Sequence, residues 1–374
     1  MNTLDSLIDL SHEFGANRDY VIAGGGNTSF KTRDKIWVKA SGTYLSDIDR
    51  EGFVLLSRDK LGEMESKDYS EDPLVREKEV KDDLRAATIS PGHLRPSVET
   101  SLHNLIGYAY IVHTHPTLVN AVMCSRHAKR EVRERFGDEA LYVEYTEPGY
   151  VLFRKLQDRI GKYHERHLMD PKIIFLQNHG VFVAANSAEE IRAIYSSIEA
   201  RIKAGRDLAL PDDQQEHYTS AASREVNGYF EDRGWITTGY SSDLIRYFTE
   251  GTSRFKKVSR PFTPDIIVYC KSNYLFLEKG WEGHQIRQEL ERFSQIHGYI
   301  PKIILEEGGG LIIVEENEPC ARTVLEVFTD MMKISFLSEQ FGGPHPMSDE
   351  QIMVIDNWEA EHYRRNVARN LDRA

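Results

Sequence analysis

The chain has 374 residues, of which 40% are hydrophobic and 28% charged, so it is long enough for two globular domains. Its formal net charge of −12, without a basic stripe, argues against nucleic acid and anionic membranes as partners. No apolar run approaches the roughly 18 residues of a membrane span, and the start lacks a signal-peptide pattern. The three cysteines are far apart, so no disulfide framework is expected. Taken together, these features lead us to expect a soluble, cytoplasmic protein.

Periodicity and turn residues predict alternating helices and strands in the first part of the chain. A helix is predicted from Thr3 to Gly15, and a strand from Tyr20 to Ala23. The elements predicted after the glycine cluster are a hairpin of Phe30-Lys31 with Ile36 to Lys39, a charge-rich helical or loop excursion at 58–85, a helix from about Val98 to Gly107 and a helix from Ser187 to about Gly205. A polar stretch from Leu210 to Ser220 then indicates the end of a domain at residues 1–215.

A second, smaller α+β domain of unknown role is predicted at residues 256–374, after a helical connection at 216–255. Its predicted elements are strands at Ile266 to Tyr269 and Tyr274 to Leu277, a helix at Glu282 to His297, a hairpin of Ile303 to Leu305 with Leu311 to Val314, and a helix at Ala321 to Phe341. Glu306-Glu307-Gly308 is interpreted as a solvated hairpin turn rather than a second cation site. No internal repeat is evident in the sequence.

Three histidines at the ends of two apolar runs give the clearest chemical signal. His113 and His115 end the first run, and His179 ends the second. Side chains at i and i+2 of a strand point to the same face, so the first two imidazoles can meet at one point. Three imidazoles with a fourth position open to water or substrate form a catalytic divalent metal site, for which Zn²⁺ is favoured. Polar residues hydrogen-bonded at strand ends are the alternative.

A carboxylate and a further histidine lie on one face of the helix predicted before this strand. Glu99 follows Pro96-Ser97, and His103 comes one helical turn later. A glutamate in a first turn is also ordinary helix-terminus chemistry. Beside a Lewis-acidic metal, however, the same carboxylate can transfer a proton, and a dehydrated pocket would raise its pKa. His103 is assigned to the surroundings of the site or to the core rather than to the ligands.

Two short loops with glycines and hydroxyls predict an anion-binding cradle. Their sequences are Gly26-Asn27-Thr28 and Lys39-Ala40-Ser41-Gly42, and Ser97 at a helix start adds a further donor. Ordinary tight turns are the alternative, and the glycine cluster lacks the Lys-Ser/Thr of a Walker A loop. The loops therefore indicate phosphate binding only together with a metal site.

Taken in order, these segments resemble the class II aldolase/adducin family over roughly residues 5–215. The motifs that carry the resemblance are Gly-Asn-Thr-Ser at 26–29, Ala-Ser-Gly at 40–42, Pro-Ser-x-Glu at 96–99, His-x-His-Pro at 113–116 and Asn-His-Gly at 178–180. The resemblance implies a three-layer α/β/α domain with a mainly antiparallel sheet. It also implies a homotetramer with sites between subunits and a phosphorylated ketose as the substrate.

The resemblance further implies roles for individual residues. The positions that match zinc ligands are His113, His115 and His179, and those that match phosphate-binding positions are Asn27, Ser41, Gly42 and Ser97, to which we add Thr28 from the same loop. Glu99 matches the catalytic acid/base of the aldolases, whereas the epimerase branch has Asp there. Tyr145 resembles the tyrosine that protonates the aldehyde side from a neighbouring subunit, with Tyr142 and Tyr150 as competing matches.

The function implied is metal-dependent retro-aldol cleavage of a ketose 1-phosphate, of the rhamnulose or fuculose type, to dihydroxyacetone phosphate and an aldehyde. A 4-epimerase or dehydratase on the same metal site is an alternative, and a non-catalytic adducin-like interaction protein is another. The intact histidines and Glu99 argue against the last. Residues from Arg260 onward are similar to the stretch after the aldolase part of long rhamnulose-phosphate aldolase/lactaldehyde dehydrogenase proteins. Without a GxGxxG after a strand, the dehydrogenase activity is expected to be absent.

Overall fold

The structure is a computed structural model that describes residues 3–90 and 94–357. The chain forms two compact units. The first runs to Arg206 without the segment 124–126, and that segment groups with the second unit, which continues from Asp207. Within the described ranges, no helix has the length and apolar character that a bilayer crossing requires.

The first unit is built on a seven-stranded sheet in the order β3-β2-β1-β4-β7-β6-β5. Its strands are β1 Asn27–Lys31, β2 Lys35–Lys39, β3 Phe53–Ser57, β4 Tyr110–Thr114, β5 Ala140–Val143, β6 Ile173–Leu176 and β7 Gly180–Ala185. Its helices are α1 Thr3–Gly15, α2 Arg58–Glu65, α3 Pro73–Ala87, α4 Thr100–Leu105, α5 Thr117–Met123, α6 Ala128–Phe136, α7 Tyr150–His167 and α8 Ala188–Lys203. Every neighbouring pair of strands is antiparallel except β5 and β6.

Helices cover both faces of this sheet, so the predicted three-layer α/β/α fold is confirmed. On one face, α4 and α7 pack their apolar residues against strands β4 to β7 in a single buried cluster. On the other face, the Thr28 hydroxyl of β1 hydrogen-bonds Ser11 of α1, and Thr114 of β4 hydrogen-bonds Tyr195 of α8. Strand residues therefore alternate between the two helical layers, as the two-residue period of a strand requires.

The segment from Tyr20 to Ala23 forms turns instead of the predicted strand. The backbone N–H groups of Tyr20 and Val21 both donate to the Asn17 carbonyl oxygen, at 2.9 and 3.0 Å, which closes a turn. Ala23 then has a φ of +51°, a left-handed conformation that extended chain does not use. The aromatic and β-branched residues that favour a strand here are overridden by this turn.

The second unit is built on a five-stranded sheet in the order β10-β11-β12-β9-β8. Its strands are β8 Glu216–His217, β9 Ile236–Ser241, β10 Leu275–Leu277, β11 Ile303–Glu306 and β12 Leu311–Glu315. Its helices are α9 Ala221–Glu231, α10 Asp243–Thr249, α11 Thr252–Phe255, α12 Pro264–Cys270, α13 Gly283–His297, α14 Glu318–Ser338 and α15 Asp349–Asn357. Strands β10 and β11 are parallel, and the other neighbours are antiparallel.

Two predictions for this unit differ from the structure. The segment 216–255 is more than a helical connection, because it contributes β9 between β12 and β8 of the second sheet. The predicted strand Ile266 to Tyr269 lies in α12 instead. Pro264 stands at the first position of that helix, and all of its residues except Asp265 are buried. A short helix that is apolar on every side lacks the periodicity that distinguishes a helix from a buried strand.

A buried carboxylate in the first unit gives a test of the stability of the fold. The Glu131 side chain is 1% exposed and accepts hydrogen bonds from Arg130, Arg135 and Arg206, each at 3.1 Å. Burial raises the pKa of Glu131, but hydrogen bonds from Arg130 and Arg135 outweigh it and hold the pKa below its ordinary value. We expect Glu131→Gln to lower the free energy of unfolding by about 2 kcal/mol at pH 7, because three cations then surround an uncharged amide.

The lowered pKa of Glu131 determines how the stability of the protein depends on pH. Because the pKa of Glu131 is lower in the folded state, its stabilisation is complete above the unfolded value of about 4.3. This stabilisation is lost as the pH falls through the folded-state pKa of Glu131. The free energies of unfolding of the wild type and Glu131→Gln, measured with urea, should therefore become more similar in acid. Glu134→Gln is the matched control, since Glu134 is 56% exposed and pairs with Arg130 at 3.8 Å. A loss as large for the control would contradict the assignment.

Candidate metal centre and active site

Strand β4 and the β6–β7 hairpin bring the three predicted histidines together. His113 is the fourth residue of β4, and its register partners are Asn27 on β1 and Phe182 on β7. His115 follows the strand on the same face, and His179 lies in the turn that joins β6 to β7. The three imidazoles therefore come from segments far apart in the sequence but adjacent in the sheet.

The imidazole nitrogens are close enough to share one cation. The Nε2 atom of His113 lies 3.0 Å from Nε2 of His115 and 3.4 Å from Nε2 of His179. All three candidate ligand atoms lie within 4.8 Å of one another, and within residues 3–90 and 94–357 this is the one such group of three or more potential ligands. Three nitrogen donors at this spacing fit Zn²⁺ and other first-row divalent metals.

The surroundings of His113 favour metal binding through its Nε2 atom. Its Nδ1 atom lies 2.9 Å from the carbonyl oxygen of Val181, and its ring stacks on Phe182 with the centroids 4.0 Å apart. A backbone carbonyl accepts only from a protonated nitrogen, which leaves the lone pair on Nε2. Val181 and Phe182 therefore fix both the tautomer and the plane of the ring.

Glu99 faces the histidines and does not cap its helix. It stands at the N-terminal boundary of α4 but makes no side-chain capping hydrogen bond. Its Oε1 atom lies 3.3 Å from Nε2 of His113 and 3.8 Å from Nε2 of His179. Its Oε2 atom accepts from Nδ2 of Asn27 at 3.2 Å. The carboxylate is thus held between an amide donor and the imidazole cluster.

The expected raised pKa of Glu99 is not found. Burial acts to raise it, but the positive charge and hydrogen bond of the His113 imidazole in its protonated form, helped by protonated His179, outweigh burial and hold the pKa well below its ordinary value. His103 is itself buried, and burial lowers its pKa to about 3. Its Nδ1 atom lies 2.7 Å from Oγ of Ser29, so it supports the site without joining the three clustered imidazoles.

Most of the predicted anion cradle comes together beside Glu99, but Thr28 does not take part. A bridge between Ala40 and Pro96 places the loop with Ser41 and Gly42 beside the segment with Ser97. Gly42 has a φ of +86°, and Ser97 Oγ accepts from the Glu99 N–H at 3.2 Å. Asn27 reaches the same region through Glu99. The Thr28 hydroxyl instead lies 2.7 Å from Oγ of Ser11, on the opposite face of the sheet.

Tyr145 follows β5 and is tied to the hairpin that carries His179. Its backbone N–H donates to Oε1 of Gln177 at 3.1 Å. Its hydroxyl is buried and has no hydrogen-bond partner among the described residues. Burial and the charge of Glu147 raise its pKa, so the hydroxyl keeps its proton. The competing Tyr150 packs its ring against Tyr69, with the centroids 5.0 Å apart.

Lys31 is a positioning residue that the sequence analysis missed. This lysine is buried on β1, and its Nζ atom donates to the carbonyl oxygens of His103 at 2.6 Å, Asn104 at 3.2 Å and Ile106. These carbonyls lie at the C-terminal end of α4, where the last turn of a helix leaves its carbonyl groups without partners inside the helix. Lys31 thus fixes the short helix that begins directly after Glu99.

Asn178 is a second missed residue, and it sets the direction of His179. It is buried in a left-handed conformation with a φ of +54°. We expect Asn178→Ala to lower the free energy of unfolding by about 1 kcal/mol and to weaken metal binding, because alanine resists this conformation. Asn178→Gly is the control, since glycine adopts positive φ freely. Thermal unfolding and zinc titration measure the two effects, and equal losses in both variants would contradict a backbone role.

Comparison with known proteins identifies the fold and the family. The model of the "Class II Aldolase and Adducin N-terminal domain" family matches residues 5–204. The chain belongs to this family. The class II aldolase/adducin domain thus coincides with the first unit, and membership supports a lyase-type enzyme. Class II aldolases depend on a divalent metal, and the cluster of His113, His115 and His179 is able to hold one.

Individual relatives of this class II aldolase/adducin chain are distant. "Uncharacterized oxidoreductase YuxG" of Bacillus subtilis (strain 168) is 21% identical over 412 residues, covering 98% of this chain. The chain spans 58% of that relative's length. A solved class II aldolase domain from Thermoplasma acidophilum is 23% identical, covers 54% of this chain and 92% of its own, and has a TM-score of 0.46. An L-fuculose 1-phosphate aldolase is 18% identical, with coverages of 57% and 92% and a TM-score of 0.38.

Proposed function

We propose that the first unit is a zinc-dependent aldolase that cleaves a ketose 1-phosphate, of the rhamnulose or fuculose type, to dihydroxyacetone phosphate and an aldehyde. The observation that carries this proposal is the convergence of three imidazoles and the Glu99 carboxylate on one point, with Nε2 of His113 3.3 Å from Glu99. Membership of the class II aldolase/adducin family supports the choice of reaction class.

His113, His115 and His179 are proposed to hold the metal through their imidazole nitrogens. The hydrogen bond from His113 to the Val181 carbonyl keeps Nε2 free of a proton for this purpose. When bound, a divalent cation supplies positive charge that stabilises the negative charge developing as the carbon–carbon bond breaks. Three protein donors leave a position open for the oxygen atoms of a substrate.

Glu99 is proposed to carry a proton from the sugar hydroxyl to the carbon that is released by the cleavage. The ionised carboxylate acts first as a base that removes the proton of the sugar hydroxyl as the carbon–carbon bond breaks. It then returns a proton to the carbon that is left with negative charge. The amide of Asn27 donates to Oε2 and thereby orients the other oxygen toward the reacting atoms.

The substrate phosphate is proposed to lie against Ser41, Gly42, Ser97 and Asn27. The bridge between Ala40 and Pro96 joins the two loops, and the left-handed Gly42 allows backbone N–H groups to converge on an anion. Tyr145 is proposed to donate a hydrogen bond from its buried, protonated hydroxyl to the oxygen that becomes the aldehyde oxygen. Assembly as a homotetramer and a catalytic domain of residues 1–215 complete the proposal.

A substrate screen tests the reaction itself. Candidate ketose 1-phosphates are incubated with zinc-loaded protein, and dihydroxyacetone phosphate is detected by a coupled assay. Release of dihydroxyacetone phosphate supports aldol cleavage, whereas epimerisation or dehydration consumes the sugar without releasing it. A chain that binds zinc but alters none of the sugars would contradict the proposed reaction.

A further inference from the structure

The second unit repeats the strand order and strand directions of part of the first. In each unit a parallel pair (β5–β6 or β10–β11) leads into an antiparallel hairpin (β6–β7 or β11–β12). The hairpin's last strand then pairs antiparallel with β4 or β9, which pairs antiparallel with β1 or β8. A long helix separates the parallel strands, and another follows the hairpin, in both units. Among its residues up to 357, the second unit has no counterparts of β2 and β3.

The repeat extends to sequence and backbone at the hairpin. The tetrapeptide Pro-Lys-Ile-Ile at 171–174 recurs at 301–304, and each copy runs into the first strand of the hairpin. At the same spacing of 130 residues, Asn178 and Gly308 occupy the same turn position, with φ values of +54° and +68°. The interpretation that the chain has no internal repeat was therefore wrong. The recurring Pro-Lys-Ile-Ile tetrapeptide is the feature of the sequence that indicates the repeat.

Hydrogen bonds at equivalent positions are also repeated. In the first unit the side chain of Gln177 accepts from the backbone N–H of Tyr145 at 3.1 Å. In the second unit Glu307 accepts from the backbone N–H of Lys279 at 2.9 Å. A residue chosen only for a tight turn would not reach back to the equivalent loop in both units. The register of the two hairpins is therefore the same.

In each hairpin, the glycine at the start of the second strand lies close to a backbone carbonyl oxygen of the neighbouring strand. A Cβ atom at Gly180 would lie 2.5 Å from the carbonyl oxygen of Thr114, and one at Gly310 would lie 2.5 Å from that of Tyr240. Thr114 on β4 pairs with Val181, and Tyr240 on β9 pairs with Leu311, so Thr114 and Tyr240 occupy equivalent positions in the two sheets. This correspondence fixes which residues of the second unit stand where the histidines stand in the first.

None of the three metal-binding positions carries a ligand in the second unit. Counting from the paired residues of the two sheets, the equivalents of His113, His115 and His179 are Gly239, Ser241 and Gly309. Glycine has no side chain, and a serine hydroxyl is not a usual ligand of Zn²⁺. Among the described residues of this unit, no group of three potential ligands forms a cluster.

Tyr218 fills the equivalent space. In the first unit a Cβ atom at Gly180 would lie 2.7 Å from Cδ2 of His115, whereas one at Gly310 would meet the ring of Tyr218. The Tyr218 hydroxyl also lies against Gly309, and it donates to Oε2 of Glu306 at 3.0 Å. The aromatic ring thus occupies the place of a metal-binding imidazole.

We infer that the second unit is a shortened second copy of the class II aldolase fold, in which Tyr218 closes the metal position. It carries no metal and no catalytic site, so the chain binds one zinc ion, in the first unit. This assigns residues 207–357 to a non-catalytic module of the same fold.

Zinc stoichiometry tests the inference. Full-length protein is equilibrated with Zn²⁺ alone, and bound metal is measured per chain. We expect one equivalent in the wild type and a fall in zinc affinity of at least about 100-fold in the double variant His115→Ala/His179→Ala. Two equivalents in the wild type, or one retained in the double variant, would overturn the inference. No zinc in the wild type contradicts the proposed function of the first unit instead, and the melting temperatures of the glycine variants described below then decide the repeat.

A graft tests the equivalence of the two positions. Tyr218→Ala, Ser241→His and Gly309→His are introduced together into the double variant, where Tyr218→Ala clears the space for the new imidazoles. We expect the grafted chain to bind zinc more tightly than the double variant does, but at least about 100-fold more weakly than the wild type, because it offers two imidazoles instead of three. A graft that melts cooperatively but binds zinc no more tightly than the double variant would overturn the equivalence.

A matched pair of glycine variants keeps the inference testable if the graft does not fold. Gly180→Ala and Gly310→Ala each place a methyl group 2.5 Å from a backbone carbonyl oxygen. We expect a similar fall in melting temperature for both, whereas only Gly180→Ala weakens zinc binding. An unchanged melting temperature for Gly310→Ala, or a loss of zinc in that variant, would overturn the inference.

Discussion

Replacement of His179 by Ala is expected to remove the bound metal and to abolish turnover. Its Nε2 atom lies 3.4 Å from that of His113, so its loss leaves two imidazoles at the cluster. Two ligands hold a divalent cation far more weakly than three, and we expect zinc affinity to fall at least about 100-fold. Metal analysis after dialysis and a ketose 1-phosphate cleavage assay measure the two losses.

His164→Ala is the matched control for this variant. His164 also belongs to the first unit, but its side chain is 59% exposed and pairs with Asp170 at 2.8 Å. We expect its zinc content and turnover to equal those of the wild type. Chelation of the wild type should reproduce the His179→Ala result, and added Zn²⁺ should reverse it. Full turnover in metal-free protein would contradict the assigned role of the histidines.

Glu99→Gln is expected to abolish turnover while leaving the metal in place. The amide has the shape of the carboxylate and can still contact Asn27, but it neither accepts nor returns a proton at neutral pH. General acid–base groups contribute about 10²- to 10⁴-fold to rate, so we expect a loss of at least about 100-fold. Zinc content, the cleavage rate and the exchange of the C–H proton of dihydroxyacetone phosphate with solvent are measured in parallel.

The exchange measurement separates a catalytic role from a structural one. A variant that merely misplaced the substrate would raise KM, whereas loss of the proton carrier lowers kcat and stops exchange. Glu190→Gln is the matched control, because Glu190 pairs with Lys172 at the start of α8 and lies outside the imidazole cluster. Retention of proton exchange by Glu99→Gln would remove Glu99 from the mechanism.

Local signals in the sequence were sufficient to predict most elements of the fold. The helix after Ser187 follows from its N-cap, whose hydroxyl accepts from the Glu190 N–H, and from an apolar stripe along α8. Helix α12 could not be predicted in this way, because its apolar residues surround the axis. The turn at Tyr20 depends on hydrogen bonds to Asn17 that residue preferences do not encode.

The candidate site was predictable where side-chain direction follows from strand periodicity. His113 and His115 converge because they are two residues apart on one strand. The same rule explains why the prediction that Thr28 binds the phosphate is wrong. Thr28 stands next to Asn27 on the strand, so its side chain must point to the opposite face. The carbonyl of Val181 and the low pKa of Glu99 could not be predicted, because both arise from contacts between strands and helices distant in sequence.

Asn27 and His113 are register partners on neighbouring strands, so their separation is set by main-chain hydrogen bonds. Exchange of one apolar side chain for another inside the domain leaves that separation unchanged. A slip of one residue between β1 and β4 would instead turn Asn27 away from Glu99 and bring a different side chain opposite the imidazole. The alignment of the reactive groups is thus set by the backbone hydrogen bonds between the strands. It withstands substitutions among the apolar core residues, but a single residue inserted into either strand would disrupt it.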